Sequence, residues 1–326
     1  MRNGVNPEKH KNETNKKWLH RVVMVCYIPN LTDDYYKESL LVLKHSIESL
    51  IKTIDKKTTV ITFINNNSIS EVDLLVKTYL QNGSIDKYVS YTENKGKVYS
   101  ILNETRSVFE PFVTITDSDV LFFNGWERGI FEIFNNFKKA GMVSPLPYPI
   151  GAIHLNENVF FDKFIIGKIK YSKIVHDYDL DLFLKGTNNP SLYERNNQNN
   201  WKKKQYSINS NDINAVIGAT HFVATFKSKL FKNEEKFPEM KFKKGYEYEF
   251  IDKLPAKNGL YRLSTTKTYA YHIGNNLDEF TKTFNLDSSF DNNSEINIVN
   301  SNIPFAFIPY KLKTNFYLIL KKIFKF

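Results

Sequence analysis

Two carboxylates stand one residue apart in the stretch PFVTITDSDVLFFNGW (Pro111–Trp126), where Asp117 and Asp119 flank Ser118. In extended backbone, side chains two apart share a face, so the pair can converge on one point. Carboxylates that close repel unless a cation lies between them or one keeps its proton. Oxygen ligands of this kind suit Mg2+ or Mn2+, which take one or two carboxylates and fill the remaining positions with phosphate and water. A turn is the competing reading, because Asp and Ser are common turn formers. A second acidic cluster, DYDLD at Asp177–Asp181, lies in a polar stretch with no strand ahead of it and reads as loop.

The pair needs a frame. RVVMVCYIP (Arg21–Pro29) is a short apolar run closed by a proline, which predicts a buried strand. DDYYKESLLVLKHSIESLIKTI (Asp33–Ile54) has helical spacing, with Leu40, Leu41, Leu43, Ile47, Leu50 and Ile51 on one side. TTVITFI is a second buried strand, ended by NNNS. SEVDLLVKTYLQ is a helix with Ser70 as N-cap. DKYVSYTE is a third strand, GKVYSILNETRSVF a helix, and PFVTIT a fourth strand. Such alternation implies a mostly parallel central sheet flanked by helices, an α/β fold. Ligands gather at the carboxyl ends of the strands in these sheets, and the fourth strand ends at the Asp pair.

The 326 residues can bury a large core, and 41% apolar with 15% aromatic residues fits a folded chain. The single cysteine, Cys26, excludes an internal disulfide framework and fits a reducing compartment. The first twenty residues are polar, unlike a signal peptide, and no apolar run approaches the ~20 residues of a membrane helix. The expected location is cytoplasmic. The formal charge of +10 points to an anionic partner: nucleic acid, lipid headgroups or a phosphorylated substrate.

VVMVCYIPN, ITFINNNS, ENKGKVYSILN and TITDSDVLFFNGW follow one another in an order and spacing that resembles the nucleotide-sugar-dependent glycosyltransferases of the GT-A fold, closest to the inverting family 2. The likeness covers about residues 20–145. It implies a sugar transferase with a bound divalent metal, Mn2+ or Mg2+, and a nucleotide-sugar donor. Asp117 and Asp119 would hold the metal, with Asp117 and Ser118 beside the donor. Tyr27 and Pro29 would line the base pocket, unless Tyr27 is core. Asn65 stands where the family has a base-contacting Asp; an Asn can still accept the uracil imide N–H, without charge. It also suits a turn. Asn94 and Lys97 open a helix, where backbone N–H groups favour anions, and Lys97 would reach phosphate or ribose.

Downstream the likeness thins. Residues 150–213 look like an insertion of this protein's own, whose TNNPSLYERNNQNNWKKKQ is loop-like and expected over the acceptor side. AVIGATHFVATFKSKLF resembles the family's glycine-led strand at the acceptor site, with Gly218, Thr220 and His221 near the sugar and Trp126 on the same side; His221 suits a structural role equally. YEYEFIDKL (Tyr246–Leu254) fits the family's helix-start segment that carries the catalytic base. Glu247 falls on the base position, with Glu249 toward the acceptor and Asp252 on a solvated face. An acid at a helix start is also favoured by the macrodipole alone. In TYAYHIGN, His272 holds a late position that in several relatives completes the metal site.

The chain divides into a polar arm (1–17), a nucleotide-sugar-binding half (18–145), an acceptor-binding half (146–310) and a basic amphipathic tail (311–326). The tail reads as a contact with the inner membrane face or as a last helix packed on the domain. The implied reaction is transfer of a sugar, from a UDP-sugar, to a hydroxyl of a glycan or glycolipid, with inversion. One rival is a retaining GT-A enzyme. Another is a basic nucleic-acid-binding protein, disfavoured because the lysines are dispersed and no such motif is visible.

Overall fold

The structure is a computed structural model that describes residues 4–6, 18–164, 166–193, 200–232, 236–284 and 301–324. Most of the polar arm, residues 194–199 of the Asn-rich stretch and the last two tail residues lie outside them.

Twelve strands occur among the described residues: β1 (His20–Cys26), β2 (Thr59–Asn65), β3 (Lys87–Ser90), β4 (Phe112–Asp117), β5 (Val120–Phe122), β6 (Ala140–Ser144), β7 (Lys170–Ser172), β8 (Gln205–Ser210), β9 (Ile213–Ile217), β10 (Val223–Lys227), β11 (Tyr261–Ser264) and β12 (Ala270–His272). Ten form one sheet in the order β3-β2-β1-β4-β10-β6-β11-β9-β8-β7. It is parallel through β3-β2-β1-β4, as the strand–helix alternation predicts. β10 enters antiparallel between β4 and β6. β5 and β12 form a separate antiparallel ribbon.

The near-continuous apolar strands follow from burial on both faces. Val22, Met24 and Cys26 of β1 alternate into one core layer with Ile61 and Phe63 of β2. Val23 and Val25 point the other way, with Ile64, Val113 and Ile115. The helices α1 (Ser39–Thr53) and α2 (Ser70–Gln81) cover the first layer through Leu43, Ile47, Leu50, Val72 and Val76. α3 (Lys97–Thr105) covers the second through Val98, Ile101 and Leu102. Two further helices matter below: α4 (Trp126–Asn136) and α5 (Glu157–Phe164).

Three local expectations are corrected. Leu41 faces solvent, because Val42 and Ser46 take the inward positions of α1. Ser70 is the first helical residue and caps nothing; Ile69 precedes the helix and lacks a side-chain oxygen. DYDLD opens a sixth helix, α6 (Asp177–Gly186), four residues after the edge strand β7, so it is not loop. Asp179 there accepts the Thr268 N–H at 2.6 Å, a structural tie. The 150–213 stretch also supplies α5, β7 and β8, and buries Tyr193 and Trp201 completely, so its described residues are part of the sheet and core.

Register positions the site. Cys26 pairs with Asn65, and Val25 with Asp117, so the carboxyl ends of β1, β2 and β4 lie level. The Asp117 N–H donates to the Phe222 carbonyl at 2.8 Å, which sets His221 next to the Asp pair. His272 pairs with Val120, and the Ile273 N–H donates to the Asp119 carbonyl at 2.8 Å.

Candidate active site

A cleft of about 400 Å3 opens at the carboxyl ends of β1 and β4. Val25, Tyr27, Asn66, Asn94, Gly96, Lys97, Asp117, Ser118, Asp119, Lys241 and Phe242 line it. Tyr27, Asn94, Lys97, Asp117, Ser118 and Asp119 are therefore brought together as the sequence reading expected. Asn65 is not among them. It is buried, its amide donates to Asp73 at 2.7 Å and Tyr88 at 3.1 Å, and its oxygen accepts the Ser68 N–H at 2.7 Å. The next residue, Asn66, lines the cleft instead and ties Asn94 and the Lys95 N–H in place. Pro29 is half-buried outside the lining.

The Asp pair is asymmetric. Lys97 Nζ lies 2.5 Å from Asp117 Oδ1 and also contacts Glu247. Burial would lower the Lys97 pKa, but the charges of Asp117 and Glu247 outweigh it and raise the value, so the ammonium stays charged. Asp119 Oδ1 is buried with no hydrogen-bond partner. Burial raises the Asp119 pKa; Asp117 adds to this, and His272 and Lys97 oppose it.

His272 Nε2 faces Asp119 Oδ2 at 3.4 Å, and its Nδ1 lies 3.2 Å from the Gly186 carbonyl. A carbonyl only accepts, so Nδ1 carries a proton and, in the neutral ring, Nε2 presents its lone pair to the carboxylate. Two acceptors that face each other suit a cation between them. The carbonyl contact is also the kind of outer support that orients metal-binding imidazoles. The orphaned Asp119 oxygen and this lone pair fit a Mn2+ or Mg2+ ion. Among the described residues, no group of three or more His, Cys, Asp or Glu side chains stands as a preformed metal cage. An incomplete protein set is what these ions use when phosphate supplies further oxygens.

Beside the cleft, Lys97, Val98 and residues 241–247 line a second pocket of about 220 Å3 that includes Glu247. Glu247 Oε2 is 3.7 Å from His221 Nε2, and His221 Nδ1 is 3.3 Å from Asp252 Oδ2. Asp252, expected on a solvated face, is buried; Arg262 Nη2 approaches it at 3.6 Å. The reason is a π-helical turn at Tyr248–Asp252, whose wider winding brings residues five apart, 247 and 252, against one imidazole. Burial would lower the His221 pKa, but the Asp252 hydrogen bond and the charges of Asp252 and Glu247 raise it on balance. Glu249 is exposed and lines neither pocket.

The remaining acceptor-side residues serve the frame. Trp126 is wholly buried, and its indole N–H donates to Thr53 Oγ1 at 3.1 Å. Thr220 is buried, with its backbone tied to the Ser144 hydroxyl. Gly218 has φ +125, and a Cβ there would meet the Tyr148 carbonyl at 2.3 Å. The residues that sequence reasoning missed are Asn66, Lys241, Phe242 and the Asp252–Arg262 pair. Only Asn66 carried a signal, as the next amide in NNNS.

No family model matches the chain, and no curated protein does. Solved structures similar to it include the mannosyltransferase PcManGT from Pyrobaculum calidifontis in complex with GDP-Man and Mn2+, at 12% identity and a TM-score of 0.44 over 78% of this chain and 56% of that one. S. aureus TarS 1-349 is similar at 14% identity and a TM-score of 0.45, over 78% and 60%. Its complex with UDP-GlcNAc gives 12% identity and 0.46, over 78% and 58%. The chain thus spans less than two thirds of these proteins' length. At such identities the chemistry of the cleft has to be read from this chain's own residues.

Proposed function

We propose that the chain is a metal-dependent glycosyltransferase that moves a sugar from a nucleotide-sugar, a UDP-sugar in the first instance, to a hydroxyl of a glycan or glycolipid. The observation that carries this reading is the Asp119 carboxylate on the floor of a cleft, with Oδ1 buried and unpartnered and Oδ2 facing His272. Asp117, Asp119 and His272 are the residues to hold the ion. A bound divalent cation would neutralise the diphosphate leaving group as a Lewis acid.

The nucleotide lies along Tyr27, Asn66 and Asn94, at the ends of β1 and β2 and the start of α3. Lys97 is placed to meet the phosphates once it lets go of Asp117. Glu247, across Lys97 from Asp117, takes the acceptor hydroxyl proton as the new bond forms. His221 lies next along and can share that proton, and Asp252 orients His221. An external base in this place favours inversion over retention. The acidic floor argues against a nucleic-acid backbone as the partner.

Donor hydrolysis or transfer is the test, with a panel of UDP- and GDP-sugars in Mn2+ and in EDTA. Turnover that needs the metal and opposite anomeric configurations in donor and product, read by proton NMR, support the reading. No binding of any nucleotide-sugar with Mn2+ present overturns it.

A further inference from the structure

From residue 301 to Phe326 the sequence holds five lysines and no Asp or Glu. Most of this segment is the helix Tyr310–Phe324. One side of the helix is firmly docked. Tyr317 packs on Phe160, and Phe316 on Phe161, both of α5, with ring centroids 5.2 Å apart in each pair. Lys313 is buried and reaches Asp162 at 3.3 Å. Lys321 donates to the Ile153 carbonyl at 2.7 Å.

The other side is apolar and open. Leu312, Leu318, Ile319 and Ile323 are each more than half exposed, and Lys311 and Lys322 stand among them. The stretch before the helix continues the surface: Phe305 and Phe307 are 77% and 87% exposed, with their rings edge to face. An aliphatic and aromatic face of this extent exceeds the scattered apolar residues of an ordinary surface. One face of the helix is thus covered by α5, and the other stands open.

We propose that this outer face lies in the headgroup region of a bilayer that contains anionic lipids. Charge complementarity selects that occupant. Lysines flank the apolar stripe, and no carboxylate of the segment repels an anionic surface, the composition of a helix that lies in a membrane interface. The placement also gives the surface a purpose, and here the inference rests on the transferase reading. Tyr310 hydrogen-bonds to Glu157, and both neighbour Tyr248, the residue after Glu247. The docked helix therefore begins near Tyr248, one residue from the proposed base, and an acceptor carried on a lipid would arrive on that side.

The test is flotation of the full chain with phosphatidylcholine vesicles, with and without phosphatidylglycerol. Binding is expected to the anionic vesicles, to fall with salt, and to drop ~tenfold or more in a Leu318→Asp, Ile323→Asp double variant. Lys311→Glu with Lys322→Glu should weaken it too. None of these residues lines the cleft or the second pocket, so Mn2+-dependent hydrolysis of a soluble donor should stay unchanged in every variant, which separates failure here from failure of the transferase reading. Circular dichroism checks that the variants fold. Absence of binding, equal binding to neutral vesicles, or undiminished binding by the double variant overturns the proposal. So does a dimer in light scattering that the double variant disperses, because a second copy would then be the occupant.

Discussion

Lys97 Nζ lies 2.5 Å from Asp117 Oδ1 and bridges it to Glu247, so one ammonium holds a metal-ligand candidate and the base candidate together. A divalent ion held by Asp117, as proposed, would compete with Lys97. Lys97→Met should therefore bind Mn2+ tighter in the donor-free protein, by about tenfold for the loss of one neighbouring positive charge. Turnover should fall in the same variant, because the phosphates lose their cation. Calorimetric titration with Mn2+ checks the first part; weaker binding would show that Lys97 does not compete.

Asp119→Asn removes a charge one of whose oxygens, Oδ1, is buried without a partner. The metal-free variant should be at least as stable as the parent, and higher by about 1 kcal/mol if the orphan oxygen costs its usual amount. Saturating Mn2+ should raise the melting temperature of the parent and leave the variant where it was. A variant that Mn2+ still stabilises would remove Asp119 from the metal set.

Glu247→Gln keeps shape and loses basicity. Donor binding should barely change, while turnover falls by roughly two to four orders of magnitude. Glu249→Gln is the control, since Glu249 is exposed and outside both pockets, and it should work at nearly the parent rate. Equal rates for the two variants would leave Glu247 as a helix-start acid.

The pKa of His221 is raised above its ordinary 6.5 in the folded chain. A raised pKa contributes stability that is full below 6.5 and is lost as pH rises through the folded value. In Asp252→Asn the His221 midpoint should move down, read from its imidazole proton resonance. The stability difference between parent and variant should shrink toward alkaline pH, and the acidic limb of the turnover profile should move with the midpoint. An unmoved midpoint would mean that Asp252 serves Arg262 alone.

Gly96 has φ +86, and a Cβ there would lie 2.0 Å from the Lys241 carbonyl oxygen. Gly96→Ala therefore carries about 1–3 kcal/mol of backbone strain and also pushes the 241–244 segment off the start of α3. A lower melting temperature with weakened donor binding is expected. A fully stable Gly96→Ala protein with parental affinity would show that Lys241 need not sit there.

The nucleotide half was legible because its evidence is local. Apolar runs such as Val22–Cys26 and Thr59–Ile64 need only a period and a stop signal, and they became β1 and β2. Asp117 and Asp119 stood out because a buried strand rarely ends in two acids. The far half depends on long-range pairing. Nothing near Asp252 announces that Arg262 and His221 will meet it, and a π-helical turn defeats the usual spacing of 3.6. Trp126 misled because an aromatic beside a motif looks functional, whereas its indole closes the core on Thr53. Asn65 and Asn66 differ by one residue, and strand alternation decides which of them sees the cleft.

The ribbon of β5 and β12 also orders events in time. Asp119 lies in the first half of the chain, and its imidazole partner arrives about 150 residues later, clipped on by the bond between the Ile273 N–H and the Asp119 carbonyl. On a ribosome, strands β1 to β4 can pair as soon as they emerge. Asp119 then waits without the imidazole that faces it until residue 272 leaves the exit tunnel. A chain that ends before β12 would thus carry the Asp pair without its imidazole partner, and on the proposed reading its affinity for a divalent ion should be lower until residue 272 has joined the ribbon.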